Sequence, residues 1–259
     1  MGHIHADVYR EHGFLTSFAD RVSWKDGVKA HEGCHVSICS WDDAHAEQIL
    51  YALEHKCLVM AEKPICRDWR GLHDIKAAAE TGVLSCNLPL AFDARLHAFI
   101  DREPYHIEAD YHWGRLEKIA GWRSQVAGYS FVLGGGVHMA DLAMRLKRDR
   151  LSTVQATGER THPDFPNFTF ITAVGNFAEG GTLRMNINCA YDGAHEHRIV
   201  LWTRTQKLEL TNWGADKTAA LRRFIEKPEA LGLFFDAHAV CLAIEDALQT
   251  GEQVKVRYP

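Results

Sequence analysis

The chain has 259 residues, 46% of them hydrophobic and 24% charged, with a formal net charge of -5. That is the composition of a soluble globular protein with room for one large domain or two modest ones. An acidic balance does not attract phosphate backbones, and there is neither an apolar run long enough to span a bilayer nor a leader-like segment. The expectation is therefore no nucleic-acid partner, no membrane partner and a cytoplasmic location.

In chain order, the first part alternates two periodicities. "CHVSICS" (Cys34 to Ser40) reads as a short buried strand. "DDAHAEQILYALEH" follows with a helical stripe at Ala46, Ile49, Leu50 and Leu53, which Asp42 or Asp43 is placed to cap. "KCLVMAEKP" is a second buried strand ending at Pro64. "DWRGLHDIKAAAETG" is a helix with Asp68 near its start and Gly82 at its end. "VLSCNLPL" is a third strand. Strand, helix, strand, helix, strand predicts a parallel sheet with crossover helices.

The texture changes near residue 102. "YHIEADYHW" alternates strictly, with Tyr105, Ile107, Ala109, Tyr111 and Trp113 on one face and His106, Glu108, Asp110 and His112 on the other. "TLRMNINCA" sets Leu183, Met185, Ile187 and Cys189 on one face. "RIVLWTRTQKLELT" reads as a hairpin or two successive strands. These strands are expected to be antiparallel with one covered face. A final helix carries Leu233, Ala237, Cys241, Ile244 and Leu248 on one side and closes at Gly251. The fold class is thus α/β: a reduced Rossmann-like parallel-sheet domain over 1–102, then an α/β domain with a mostly antiparallel open sheet over 103–259. The apolar alternation around Ile107, Met185 and Leu208 predicts a homo-oligomer joined through that sheet.

The seven cysteines are scattered without CxxC spacing and read as reduced core thiols. Sixteen histidines raise the question of a metal. The strand face His106, Glu108, Asp110, His112 and the pair His195, His197 are the candidates. A solvated or subunit-facing surface is the better reading of both, and no metal is expected.

Two motifs carry a resemblance. Ser40-Trp41-Asp42-x-x-His45, a helix and a strand lead to Glu62-Lys63-Pro64. Further on, Trp122-Arg123, Gly128, Gly136, His138 and Asp141 fall in register within "GWRSQVAGYSFVLGGGVHMADL". Over roughly residues 33 to 258 the chain resembles the Gfo/Idh/MocA family of nicotinamide-dependent sugar and cyclitol dehydrogenases. The resemblance implies NAD or NADP as cofactor and a polyol or sugar-like ligand. It implies that Lys63 steadies alkoxide charge and that His138 is the acid/base, the two lining one cleft. Trp41, Glu62, Lys63, Pro64, Trp122 and Arg123 would line the cofactor side, and Asp141 would meet substrate, orient the imidazole or merely cap. His45 reads as a buttress of the loop before its helix. The family also builds dimers or tetramers on its open sheet, and a full-length relative is a conceivable partner.

Three departures from the family pattern stand out. The aspartate four residues before the histidine is Gly134. The glycine fingerprint G-x-G-x-x-G is absent, with Gly2 at most its last glycine, so the first strand is not in the chain. Thirteen residues between Asp20 and Cys34 are too few for the elements the family has there. "MGHIHADVYREHGFLTSFADR" is expected to form the family's first helix and second strand, with Asp20 placed for a ribose diol. The adenosine half of the site looks dismantled, and the nicotinamide half less so. Two functions follow. One is hydride transfer between NAD(P) and a sugar, cyclitol or related polyol. The other is a family member without a complete dinucleotide site, acting as a non-redox enzyme or as a binding or accessory subunit. A strand supplied from upstream of this sequence would restore only the first glycines.

Overall fold

The computed structural model describes residues 1–20, 22–114, 129–161, 167–190, 193–212, 216–230 and 233–259. It divides into two units. The first joins Met1–Phe92 to Ala215–Phe235, with Pro259; the second joins Asp93–Gly214 to Asp236–Tyr258.

Short runs of small and β-branched apolar residues make the centre of the first unit. Strands β1 (His35–Ile38), β2 (Leu58–Ala61) and β3 (Val83–Cys86) form a parallel sheet in that order. The crossovers are α3 (His45–Glu54), which buries Ile49, Ala52 and Leu53, and α4 (Trp69–Ala79), which buries Leu72 and Ile75. Asp68 caps α4 as its position predicts, accepting from the Gly71 amide at 2.7 Å. The expected cap on α3 is not made by an aspartate: Ala44 precedes the helix, and Asp42 instead accepts both Arg67 Nε and Nη2 at 3.1 and 3.0 Å. A guanidinium fork outcompetes a single amide for the same carboxylate.

Helix α1 (Gly2–Glu11) and helix α6 (Ala219–Glu226) cover one face of this sheet. Val8 and Tyr9 meet Leu221, Phe224 and Ile225 over Met60, so a segment more than 200 residues downstream completes the core of the first unit. Between α1 and β1 lies α2 (Trp24–Ala30), a single short helix in the span too short for the family's three segments. Residues 14–20 do not form the expected second strand. A strand needs a hydrogen-bonded neighbour, and no strand among the described residues pairs with this segment. Leu15, Phe18 and Val22 accordingly stay exposed.

In the second unit the strict alternation becomes a seven-stranded sheet, in the order β10-β5-β6-β7-β4-β8-β9. The strands are β4 (His106–His112), β5 (Leu151–Glu159), β6 (Phe170–Phe177), β7 (Thr182–Asn188), β8 (Glu196–Trp202), β9 (Lys207–Thr211) and β10 (Val254–Lys255). Ile107, Ala109, Tyr111, Met185, Ile187, Ile199 and Leu201 are buried. One pairing departs from the antiparallel expectation. Strands β4 and β7 run parallel, from His106↔Thr182 to His112↔Asn188. The long connection between them, through helix α5 (Val137–Lys147), β5 and β6, is what a parallel pair requires. Helix α7 (Phe234–Thr250) is closed by Gly251 at φ +72°, a left-handed position that suits glycine.

Candidate functional site

The carboxyl ends of β1, β2 and β3 gather polar groups in the first unit. Ser37 and Cys39 share one side of β1 by the period-two rule. Glu62-Lys63-Pro64 leaves β2, and Asn87 leaves β3. His5, at the end of the first turn of α1, is the hub and is 1% exposed. Its Nδ1 lies 2.5 Å from Ser37 Oγ and 3.4 Å from Cys39 Sγ, and its Nε2 lies 3.1 Å from Glu62 Oε1. Asn87 Nδ2 donates to Glu62 Oε1 at 2.7 Å and to the Lys217 carbonyl at 3.3 Å.

This is a buried ion pair. Burial by itself would pull the His5 pKa down; hydrogen bonds to Cys39 and Glu62 outweigh it and push it up to about 9. Burial works to raise the Glu62 carboxyl, but His5 and Asn87 hold it below its ordinary value, with Lys63 adding to the pull. The buried Asn87 Oδ1 has no hydrogen-bond partner among the described residues. Helix α1 has no acidic residue in its first turn and no side-chain cap, so its positive end is not neutralised locally.

The Glu-Lys-Pro turn is fixed from the side. His45 Nδ1 lies 2.6 Å from the Pro64 carbonyl and Nε2 3.1 Å from the Ser40 carbonyl, which makes His45 the buttress its position predicts. Trp41 is 45% exposed. Asp20 Oδ1 accepts from the Val22 and Ser23 amides and from Ser23 Oγ, so one of its two carboxylate oxygens is engaged in its own turn.

In the second unit His138 begins α5 and is buried, its ring close to parallel with that of Tyr111, centroids 6.3 Å apart. Asp141 is 1% exposed, and its Oδ2 accepts from Arg145 Nε at 2.8 Å. Any action on substrate would come from a buried, paired carboxylate. The glycines before His138 are closely packed. They form a wide π-type turn over Val132–Gly136, with neighbours filling the space where side chains would be. A Cβ on Gly134 would meet Tyr129 Oη at 2.7 Å, one on Gly135 the Tyr111 ring at 2.8 Å, and one on Gly136 Ile187 Cδ1 at 2.7 Å. Trp122, Arg123 and Gly128 lie outside the described residues.

The polar strand face of β4 is an ion-pair lattice. Glu108 pairs with Arg184 and Arg198, Asp110 with Arg198, and Trp202 Nε1 donates to Glu108. No group of three metal-ligating side chains occurs among the described residues. No helix among them is long and apolar enough to cross a membrane. The sequence reading missed His5, Ser37, Cys39 and Asn87. The signal available for them was weak: one histidine three residues after Gly2, and polar residues at the carboxyl ends of three buried strands.

Comparison with known proteins agrees with this layout. A model described as the oxidoreductase family, NAD-binding Rossmann fold, matches residues 15–86, and one described as the GFO/IDH/MocA C-terminal domain matches 103–209. Myo-inositol 2-dehydrogenase from Lactobacillus plantarum superposes with a TM-score of 0.79 at 10% identity, covering 96% of this chain and 87% of that one. Scyllo-inositol dehydrogenase from Lactobacillus casei, solved with NAD(H) and scyllo-inositol, gives 0.76 at 14% identity, covering 96% and 86%. A putative oxidoreductase from Thermotoga maritima gives 0.78 at 14%, covering 96% and 88%. No curated protein matches by sequence. With both family domains matched in order, and the parallel sheet and mostly antiparallel sheet both in place, the chain belongs to the Gfo/Idh/MocA family.

Proposed function

We propose that the chain is an oxidoreductase that moves hydride between NAD or NADP and a sugar, cyclitol or related polyol, with a weak hold on the dinucleotide. The observation that carries this reading is the meeting of Glu62, Lys63, Asn87 and the α1 N-terminus at the carboxyl ends of a parallel sheet. Open α/β sheets take their ligands there.

The residues present suit the nicotinamide half of such a cofactor. The Asn87 Oδ1 acceptor suits an amide N–H or a ribose hydroxyl, and the unneutralised start of α1 suits a phosphate. The adenosine half finds less, because Asp20 is engaged in its own turn and the glycine fingerprint is absent. The dinucleotide, when bound, would supply the hydride acceptor or donor. Lys63 would steady negative charge on the substrate oxygen, and His138 would take or return the hydroxyl proton. Trp41 and Pro64 would wall the nicotinamide side. Trp122, Arg123 and Asp141 keep the roles that the resemblance implies for them.

The test is NADH formation from NAD+ with myo- or scyllo-inositol. The native chain should turn over, and Lys63→Met and His138→Ala should each lose on the order of 100-fold or more. Native turnover that is absent for every polyol tried, or unchanged in both variants, would refute the reading. The engaged state of Asp20 favours the second reading, a binding or accessory subunit. Polyol binding without turnover would select it.

A further inference from the structure

We propose that Cys39 is a reactive thiol, built for covalent exchange with low-molecular-weight disulfides by the imidazolium of His5 beside it. Four side chains are arranged in series. Asn87 Nδ2 holds Glu62 Oε1 at 2.7 Å, Glu62 Oε1 holds His5 Nε2 at 3.1 Å, and His5 Nδ1 lies 3.4 Å from Cys39 Sγ. Amide, carboxylate, imidazole and thiol in that order form the constellation that activates sulfur nucleophiles. Ser37 Oγ shares the Nδ1 side, 2.5 Å from the ring and 3.7 Å from the sulfur.

His5 carries its proton at neutral pH, since its pKa is pushed up to about 9. It therefore sets a positive charge beside the sulfur, with the Nδ1–H shared between Ser37 Oγ at 2.5 Å and Cys39 Sγ at 3.4 Å. Cys39 is also only half-buried. The remaining cysteines divide differently. Cys57, Cys66, Cys86, Cys189 and Cys241 are buried, and burial pushes the Cys66 thiol up to about 12. Cys34 is exposed, and no imidazole among the described residues hydrogen-bonds to its sulfur. One thiol of the seven thus combines access with a cation. It also stands at the start of α1: the Cys39 Cβ is 3.9 Å from where a Cβ on Gly2 would sit.

In the exchange, the Cys39 sulfur attacks one sulfur of a disulfide R–S–S–R. A Cys39–S–S–R bond forms as the reagent's S–S bond breaks. The departing RS⁻ takes up the proton that Cys39 gave up, so the products are the mixed disulfide and RSH. An adduct at this position crowds the α1 N-terminus.

The experiment is timed labelling of the native chain with the aromatic disulfide dithiodipyridine, with sites assigned by peptide mass spectrometry. It uses no nicotinamide and no polyol, so its outcome is separate from that of the proposed reaction. Cys39 should react at least about ten times faster than the more exposed Cys34. In His5→Gln that advantage should vanish, while Cys34 keeps its rate and the five buried cysteines stay unlabelled. If the buried cysteines become reactive, the variant has lost its fold, and Glu62→Gln, isosteric with the native side chain, takes its place with the same expected loss. Should both variants unfold, the native ratio of Cys39 to Cys34 decides. Cys39 reacting no faster than Cys34, or remaining fast in a folded variant, overturns the proposal.

Discussion

Replacing Gly135 by alanine puts a methyl group 2.8 and 2.9 Å from Cε1 and Cδ1 of Tyr111, well inside ordinary carbon contact. Tyr111 cannot easily give way. It sits on β4 between β7 and β8, is 7% exposed, and packs against the rings of Trp113, His138 and His195. Overpacking of this kind costs about 1–3 kcal/mol. Alanine in a helical turn returns up to about 1 kcal/mol relative to glycine. The net effect is a loss on the order of 1 kcal/mol or more. Gly136→Ala is the control: its methyl comes too close only to the terminal Cδ1 of Ile187, which can rotate, and meets Val132 and Met185 at ordinary contact distance, so the change should cost less than Gly135→Ala. Urea unfolding of the three proteins, followed by near-UV circular dichroism, reads the difference as a shift in midpoint at constant slope. If Gly135→Ala proves as stable as the native chain, the argument that packing, and not ligand space, demands these glycines is wrong.

Three further expectations follow from the same geometry. His5 titrates near 6.5 when unfolded and near 9 when folded, so the folded chain holds the extra proton in between. Its contribution, on the order of 3 kcal/mol, is complete below pH 6.5 and is lost as pH rises through 9; Glu62, held low, acts in the opposite sense and loses its contribution only as pH falls through its folded value. Urea midpoints should therefore decline across that alkaline window in the native chain and stay flatter in His5→Gln; equal slopes would count against the buried pair. Gly134→Asp, which restores the family's carboxylate, should lower stability and fail to raise turnover, because Tyr129 Oη occupies the space; a gain in activity would contradict this. Light scattering at tens of micromolar should give a dimer or larger, as the family resemblance implies, although Ile107 and Met185 are already buried within the chain; a monomer would remove that expectation.

Period and punctuation made much of the fold readable. Cys34–Ser40 and Lys56–Pro64 are short apolar runs bounded by turn residues, and strict alternation in 105–113 and 182–190 separates buried from polar faces. What stayed hidden depended on contacts distant in sequence. Arg67 claimed Asp42 from the cap of α3, and α6 returned to the core under Tyr9 and Met60. Parallel pairing of β4 with β7 is a matter of topology, which alternation does not encode. The site was half legible. Lys63, Glu62 and His45 stood in a motif, whereas His5, Ser37, Cys39 and Asn87 become one cluster only when three strand ends and a helix start meet.

The central claim is that the first unit keeps a place for the nicotinamide half of a dinucleotide and little for the adenosine half. Calorimetric titration of the native chain with NAD+ and with nicotinamide mononucleotide, side by side, tests it most directly. The account predicts saturable binding of both at a Kd of about a millimolar, a free energy near -4 kcal/mol, with the two ligands within roughly ten-fold of each other. Micromolar NAD+ binding with a far weaker mononucleotide would contradict it, since another backbone segment would then be gripping the adenosine end. So would the absence of binding by either.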